Sequence, residues 1–168
     1  PANGWIFNTN DWPYSAAGEY SPKRQDYTRY MDSAGPNPRG THATLVLKDR
    51  KDFTLPGLVS AAYDPYLPAF AQLLPTLTSG YDALPAADPR RAKLAGPIEA
   101  RRGWNYKWSE TSVPTPLAVF WGEALWADAG PKAKQAGVSV YDHMTATSSP
   151  DQKLSALAEA ADRLTADF

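Results

Sequence analysis

The chain has 168 residues, enough to bury roughly two-thirds of its unfolded surface in a single domain. With 17 Lys and Arg against 18 Asp and Glu, a net charge of −1 offers no electrostatic basis for binding nucleic acid. Cysteine is absent, which excludes a disulfide framework, a thiol nucleophile and cysteine-ligated metal, and no apolar run approaches the ~20 residues of a membrane span.

The first element in chain order is Gly4 to Pro13, read as GWIFNTNDWP. Three bulky apolar side chains in a row, Trp5, Ile6 and Phe7, predict a short β-strand buried on both faces. Asn8, Asn10, Asp11 and Pro13 mark its end. A carboxamide held at such a strand end can aim an N–H donor into a cleft, although two asparagines near a turn also suit Asx-type bonds to their own backbone. Residues 11 to 38 are rich in turn formers and lack periodicity, so they predict a long ordered excursion able to line a cleft.

Beyond that excursion the chain predicts helices. Asn37-Pro38, Asp64-Pro65, Asp88-Pro89, Thr115-Pro116 and Ser149-Pro150 each place a capping side chain before a proline whose missing donor costs nothing at the first helical position. Thr54 before Leu55 offers a sixth start, and Ser149 with Gln152 has the spacing of a capping box. The resulting elements are 38 to 50, with Lys48, Arg50 and Lys51 near the end where cations suit the helix dipole; 55 to 63; 66 to 78, limited or kinked by Pro68 and Pro75; 89 to 102, weak at Gly96-Pro97; 116 to 128; and 150 to 166. The expected fold is mainly α, a helical domain with a short β segment and a long ordered loop at its N-terminal end, in one domain spanning 1–168.

His42 and His143 lie far apart, with no His and carboxylate spacing around either, so both read as surface or packing residues rather than metal ligands. No G-x-S-x-G elbow, H-E-x-x-H pair or Gly-rich phosphate loop occurs. Trp104-Asn105-Tyr106-Lys107-Trp108 suggests a different use. Alternating rings on an exposed ribbon can stack on sugar faces, with Glu110 or Glu123 as candidate glycosidase carboxylates, whereas Trp121 and Trp126 fall in a helical pattern that suits a core.

The Gly4–Pro13 stretch resembles the G-x-x-x-N-x-N-x-x-P segment of penicillin acylase family N-terminal-nucleophile amidohydrolases. The likeness continues through Asn37-Pro38-Arg39-Gly40, Asp52-Phe53-Thr54-Leu55 and Ala118-Val119-Phe120-Trp121-Gly122-Glu123, nearly the whole chain. The resemblance implies that Asn10 is the oxyanion-hole asparagine and that Arg39 supports it or a substrate carboxylate, with Arg24 and Arg29 as competitors for that arginine. Asp11 and Trp12 would line the substrate cleft by adjacency. Enzymes of this family attack with a Ser, Thr or Cys at a new N-terminus. Pro1 has no such side chain, so the expectation is an interior fragment of the nucleophile-bearing chain, inactive alone. Its partners would be the remainder of the parent acylase and a small acyl-amide substrate, with no nucleic acid and no membrane. No cofactor follows, and although some relatives bind calcium, no ligand set is evident. The resemblance also implies a periplasmic location. The alternatives from the residues alone are a carbohydrate-binding helical module and a structural interaction domain.

Overall fold

The computed structural model describes residues 1–28, 30–31 and 37–168. They fall into two compact units, Pro1–Pro68 and Ala69–Phe168. The architecture is mainly α, and the only extended pairing among the described residues is isolated single-residue bridges.

In the first unit, residues 5–8 are extended but form no strand ladder. The predicted buried strand is therefore corrected. Ile6 is 68% exposed, and a partner for this backbone comes from within the unit, where the Phe7 N–H donates to the Ala16 carbonyl at 2.9 Å. Three apolar residues in sequence specify an extended backbone, but a sheet also needs a neighbouring strand to accept its hydrogen bonds. Trp5 and Phe7 stack on one side of the segment with centroids 6.1 Å apart. Gly18 lies beneath Trp5 at φ 57, where a Cβ would meet the indole at 3.2 Å, so both the backbone and the space select glycine there. The described part of the excursion is ordered by 3₁₀ turns at Pro13–Ser15, Gly18–Tyr20 and Arg24–Asp26.

Helix α1 spans Pro38–Leu47 and α2 spans Leu55–Ala62. Both begin as predicted: Asn37 Oδ1 accepts from the Gly40 N–H at 3.0 Å, and Thr54 Oγ1 accepts from the Gly57 N–H at 3.2 Å. α1 stops before its predicted basic end. Lys48 is the C-cap and Asp49 takes φ 61, so Arg50 and Lys51 lie beyond the helix. Asp64-Pro65 starts no helix. Asp64 Oδ1 instead accepts from the Tyr66 N–H at 3.0 Å and lies 3.0 Å from His42 Nε2. The cap-and-proline pattern is shared by turns, which is why it misled here.

The second unit carries the large core. α3 (Pro68–Asp82), α4 (Pro89–Glu99), α5 (Pro114–Ala136) and α7 (Pro150–Asp167) surround Leu77, Leu94, Trp121, Leu125 and Leu157, all at most 1% exposed. Trp121 closes the centre, and its indole N–H donates to the Lys153 carbonyl at 3.0 Å. Between α5 and α7 lie the short helix α6 (Val140–Asp142) and a π-helical turn, His143–Thr147. Lys153, 4% exposed, donates to the Thr145 carbonyl left by that turn at 2.9 Å.

Among the described residues, three helices run through an internal proline: Pro75 in α3, Pro97 in α4 and Pro131 in α5. The largest departure from expectation is α5, predicted over 116 to 128. It begins at Pro114, with Ser112 Oγ rather than Thr115 accepting at its start, and continues past Gly130-Pro131 to Ala136. Ala129 and Ala133, at most 1% exposed, extend its buried stripe beyond the proline, and this packing outweighs the lost hydrogen bond. Ser149 and Gln152 form the predicted capping box reciprocally, at 3.2 and 2.7 Å.

Candidate functional site

The asparagine segment and the start of α1 converge in the first unit, 26 to 30 residues apart in sequence. The two asparagines do different jobs. Asn8 makes the Asx-type bond, its Oδ1 accepting from the Asn10 backbone N–H at 2.8 Å. Asn10 takes φ 56, the left-handed region that asparagine tolerates better than most residues, and this sends its side chain away from its own turn toward α1.

There Arg39 meets it. Arg39 Nη1 donates to Asn10 Oδ1 at 3.1 Å and Nη2 donates to the Thr9 carbonyl at 2.8 Å. A guanidinium has no acceptor, so the amide atom facing it must be the oxygen. The Asn10 Nδ2 donor is thereby turned outward, in an exposed residue, with no partner among the described residues. Of the competing arginines, Arg24 holds the excursion, donating to the Tyr27 carbonyl at 3.2 Å and the Met31 carbonyl at 2.7 Å. Arg29 lies outside the described residues.

Asp11 turns toward the helix. Its Oδ1 accepts from the Trp12 N–H at 2.9 Å and its Oδ2 from the Asn37 N–H at 2.7 Å. Trp12 is 39% exposed beside it. One contributor was not legible as such in the sequence. Asn37 reads there only as a helix cap, yet its Nδ2 also donates to the Thr9 carbonyl at 2.8 Å, so that one oxygen receives both Asn37 and Arg39. The available signal was the residue type. An amide at an N-cap keeps a donor that Asp in that place would lack.

Elsewhere, the aromatic cluster does not form an exposed ribbon of alternating rings. Trp104 packs between Phe70 at 6.0 Å and Tyr106 at 5.6 Å against the core of the second unit, and its indole N–H donates to the Lys107 carbonyl at 2.9 Å. Trp108 is 54% exposed, Trp121 is fully buried, and Trp126 is 44% exposed against Tyr141. Glu110 and Glu123 line different cavities. Among the described residues no group of three His, Cys, Asp or Glu side chains gathers as a metal site, and no helix is long and apolar enough to cross a membrane.

No curated protein matches the chain. The family comparison does match: the penicillin amidase family covers residues 1–168, the full length given, including the asparagine segment, the arginine start of α1 and the α5 helix. The chain belongs to the penicillin amidase family.

Proposed function

We propose that residues 1–168 form part of the catalytic cleft of an N-terminal-nucleophile amidohydrolase that cleaves an amide between an acyl group and an amine. In this reading the nucleophile, a Ser, Thr or Cys whose own α-amine takes its proton, lies outside these residues. The rest of a larger acylase is the partner that completes the site, residues 1–168 alone hydrolyse nothing, and the enzyme works in the periplasm. Attack on the acyl carbon places negative charge on its oxygen, and Asn10 Nδ2 donates to that charge. Arg39 holds the other end of the amide and adds its own positive field.

One observation carries the proposal. The Asn10 carboxamide is pinned through its oxygen by Arg39, and its N–H donor is left exposed and unspent. A donor fixed before the reaction need not reorganise when charge develops, which is the requirement for stabilising a transition state more than a ground state.

The test uses the full-length protein and chromogenic phenylacetyl and long-chain acyl amides. Asn10→Ala should lower kcat by about 10²- to 10³-fold with little change in KM. Alanine is strained at φ 56, so Asn10→Gly, which accepts that backbone, should lose as much; the two together separate the missing donor from the strain. Asn8→Ala should cost less, because its side chain supports the Asn10 backbone and itself offers no donor to the developing charge. Full activity in both Asn10 variants would remove this residue from the mechanism.

A further inference from the structure

We infer that Asp11 is a positioning residue for Asn10, acting through the backbone and not through substrate. The inference rests on the oxyanion reading of Asn10 given above. A left-handed residue on an exposed segment relaxes unless its surroundings over-determine it. Packing does not do so here: Asn10 itself is exposed, Ile6 is 68% exposed and Trp12 is 39% exposed. Hydrogen bonds must hold it, and they come from both sides.

On the N-terminal side, Asn8 Oδ1 captures the Asn10 N–H at 2.8 Å. On the C-terminal side, Asp11 spends one oxygen on the next backbone N–H, Trp12, at 2.9 Å and the other on the Asn37 N–H at 2.7 Å. That second bond joins positions 26 residues apart and ends on the backbone donor of the α1 N-cap. It fixes the turn relative to the same helix end that presents Arg39. The ionised carboxylate is the side chain suited to this, since only it offers two acceptors of equal strength with no donor to repel either N–H. Both oxygens are thus committed to backbone N–H groups. Loss of Asp11 frees the C-terminal flank of Asn10, and Asn10 Nδ2 swings with Arg39 away from the developing charge. A displacement of about 1 Å at such a group costs up to about 10²-fold in rate.

The experiment is a double-mutant cycle in the full-length protein with the same phenylacetyl and long-chain acyl amides. Asp11→Ala should lower kcat at least about 10-fold with KM nearly unchanged, and Asp11→Asn, which keeps one acceptor, should fall between it and the wild type. The double variant with Asn10→Ala should be no slower than Asn10→Ala alone, because Asp11 acts only through Asn10. Hydrogen exchange supplies a readout that needs no turnover. In Asp11→Asn the Asn37 amide should exchange faster while amides in the core of α5 and α7 keep their protection, which also guards against a variant that simply unfolds. Losses that multiply in the double variant, a normal kcat in Asp11→Ala where Asn10→Ala is crippled, or unchanged exchange at Asn37 would each overturn the inference and leave the Asn10 proposal standing. Full activity in Asn10→Ala would sink both.

Discussion

Arg101 shows most plainly how one side chain can run against the energetics of its surroundings. It is 7% exposed, its Nε donates to the Pro97 carbonyl at 3.1 Å, and its Nη1 and Nη2 are buried with no partner among the described residues. Burial depresses its pKa to about 10. The sign follows directly. The unfolded chain holds this proton more tightly than the folded one, so the charge opposes folding at every pH below about 10, and that penalty fades only as pH rises from there toward the ordinary arginine value. Arg101→Met keeps the aliphatic stem and removes the charge. It should raise stability at pH 7 by about 1–3 kcal/mol in urea unfolding, with the gain shrinking above pH 10. A loss of stability instead would mean that the guanidinium is paired in solution. The candidate site residues contrast with it: Asn10, Arg39 and Asp11 are exposed or near the surface, and their geometry is held by hydrogen bonds rather than by burial.

At the scale of the element, helix starts were legible wherever the capping oxygen had only its own helix to serve. Asn37, Thr54, Asp88 and Ser149 all cap as their sequence context predicts. Asp64 and Thr115 do not, because a turn and a neighbouring hydroxyl compete for the same groups. Helix ends were harder to read. α5 passes a proline because buried alanines lie beyond it, and its true stop is Gly137 at φ 66, where the Gly137 N–H donates to the Lys134 carbonyl and the Val138 N–H to the Ala133 carbonyl. This is the paired pattern of a Schellman end. No atom lies within 4 Å of where a Gly137 Cβ would sit, so Gly137→Ala tests the backbone alone. It should destabilise the protein by about 1–2 kcal/mol, with Gly137→Asn intermediate, measured as shifts in the urea midpoint. An unchanged midpoint in Gly137→Ala would show that the helix end relaxes freely.

For the molecule as a whole, the two units differ in kind. The second is built around a continuous apolar core, whereas the buried apolar residues of the first among those described are Ala16 and Ala17. Cooperative unfolding should therefore report chiefly on the second unit, with Trp121 as its natural probe. Its acid limit is set in part by Asp88, which caps α4 and accepts from the Arg90 side chain and backbone, while Arg90 also reaches Asp151 in the first turn of α7. The Arg90 hydrogen bonds hold the Asp88 carboxyl at about 2, below the ordinary 3.8. A depressed carboxylate contributes its full stability above about pH 4 and loses it as pH falls toward 2. Asp88→Asn keeps the capping oxygen but no charge, so the difference in unfolding midpoint between wild type and variant should be constant from pH 7 to 5 and close between pH 4 and 2. A gap that persists at pH 2 would show that the charge is not its cause.

By itself, the sequence determined the helical class, most helix starts and the residue types at the candidate site. Those properties are local: a cap meets its own first turn, and an amide or guanidinium carries its chemistry wherever it is placed. Tertiary structure decided which asparagine is spent on its own turn and which is turned outward, that Arg39 rather than Arg24 meets it, and that Asp11 faces a helix. The Asn8 bond spans only two residues, but the placements of Asn10, Arg39 and Asp11 depend on bonds spanning 26 to 30, which no local pattern encodes. The same reason explains the missing strand. Trp5-Ile6-Phe7 carries the preference for an extended backbone, but a ladder exists only where a second strand is brought alongside to accept its hydrogen bonds.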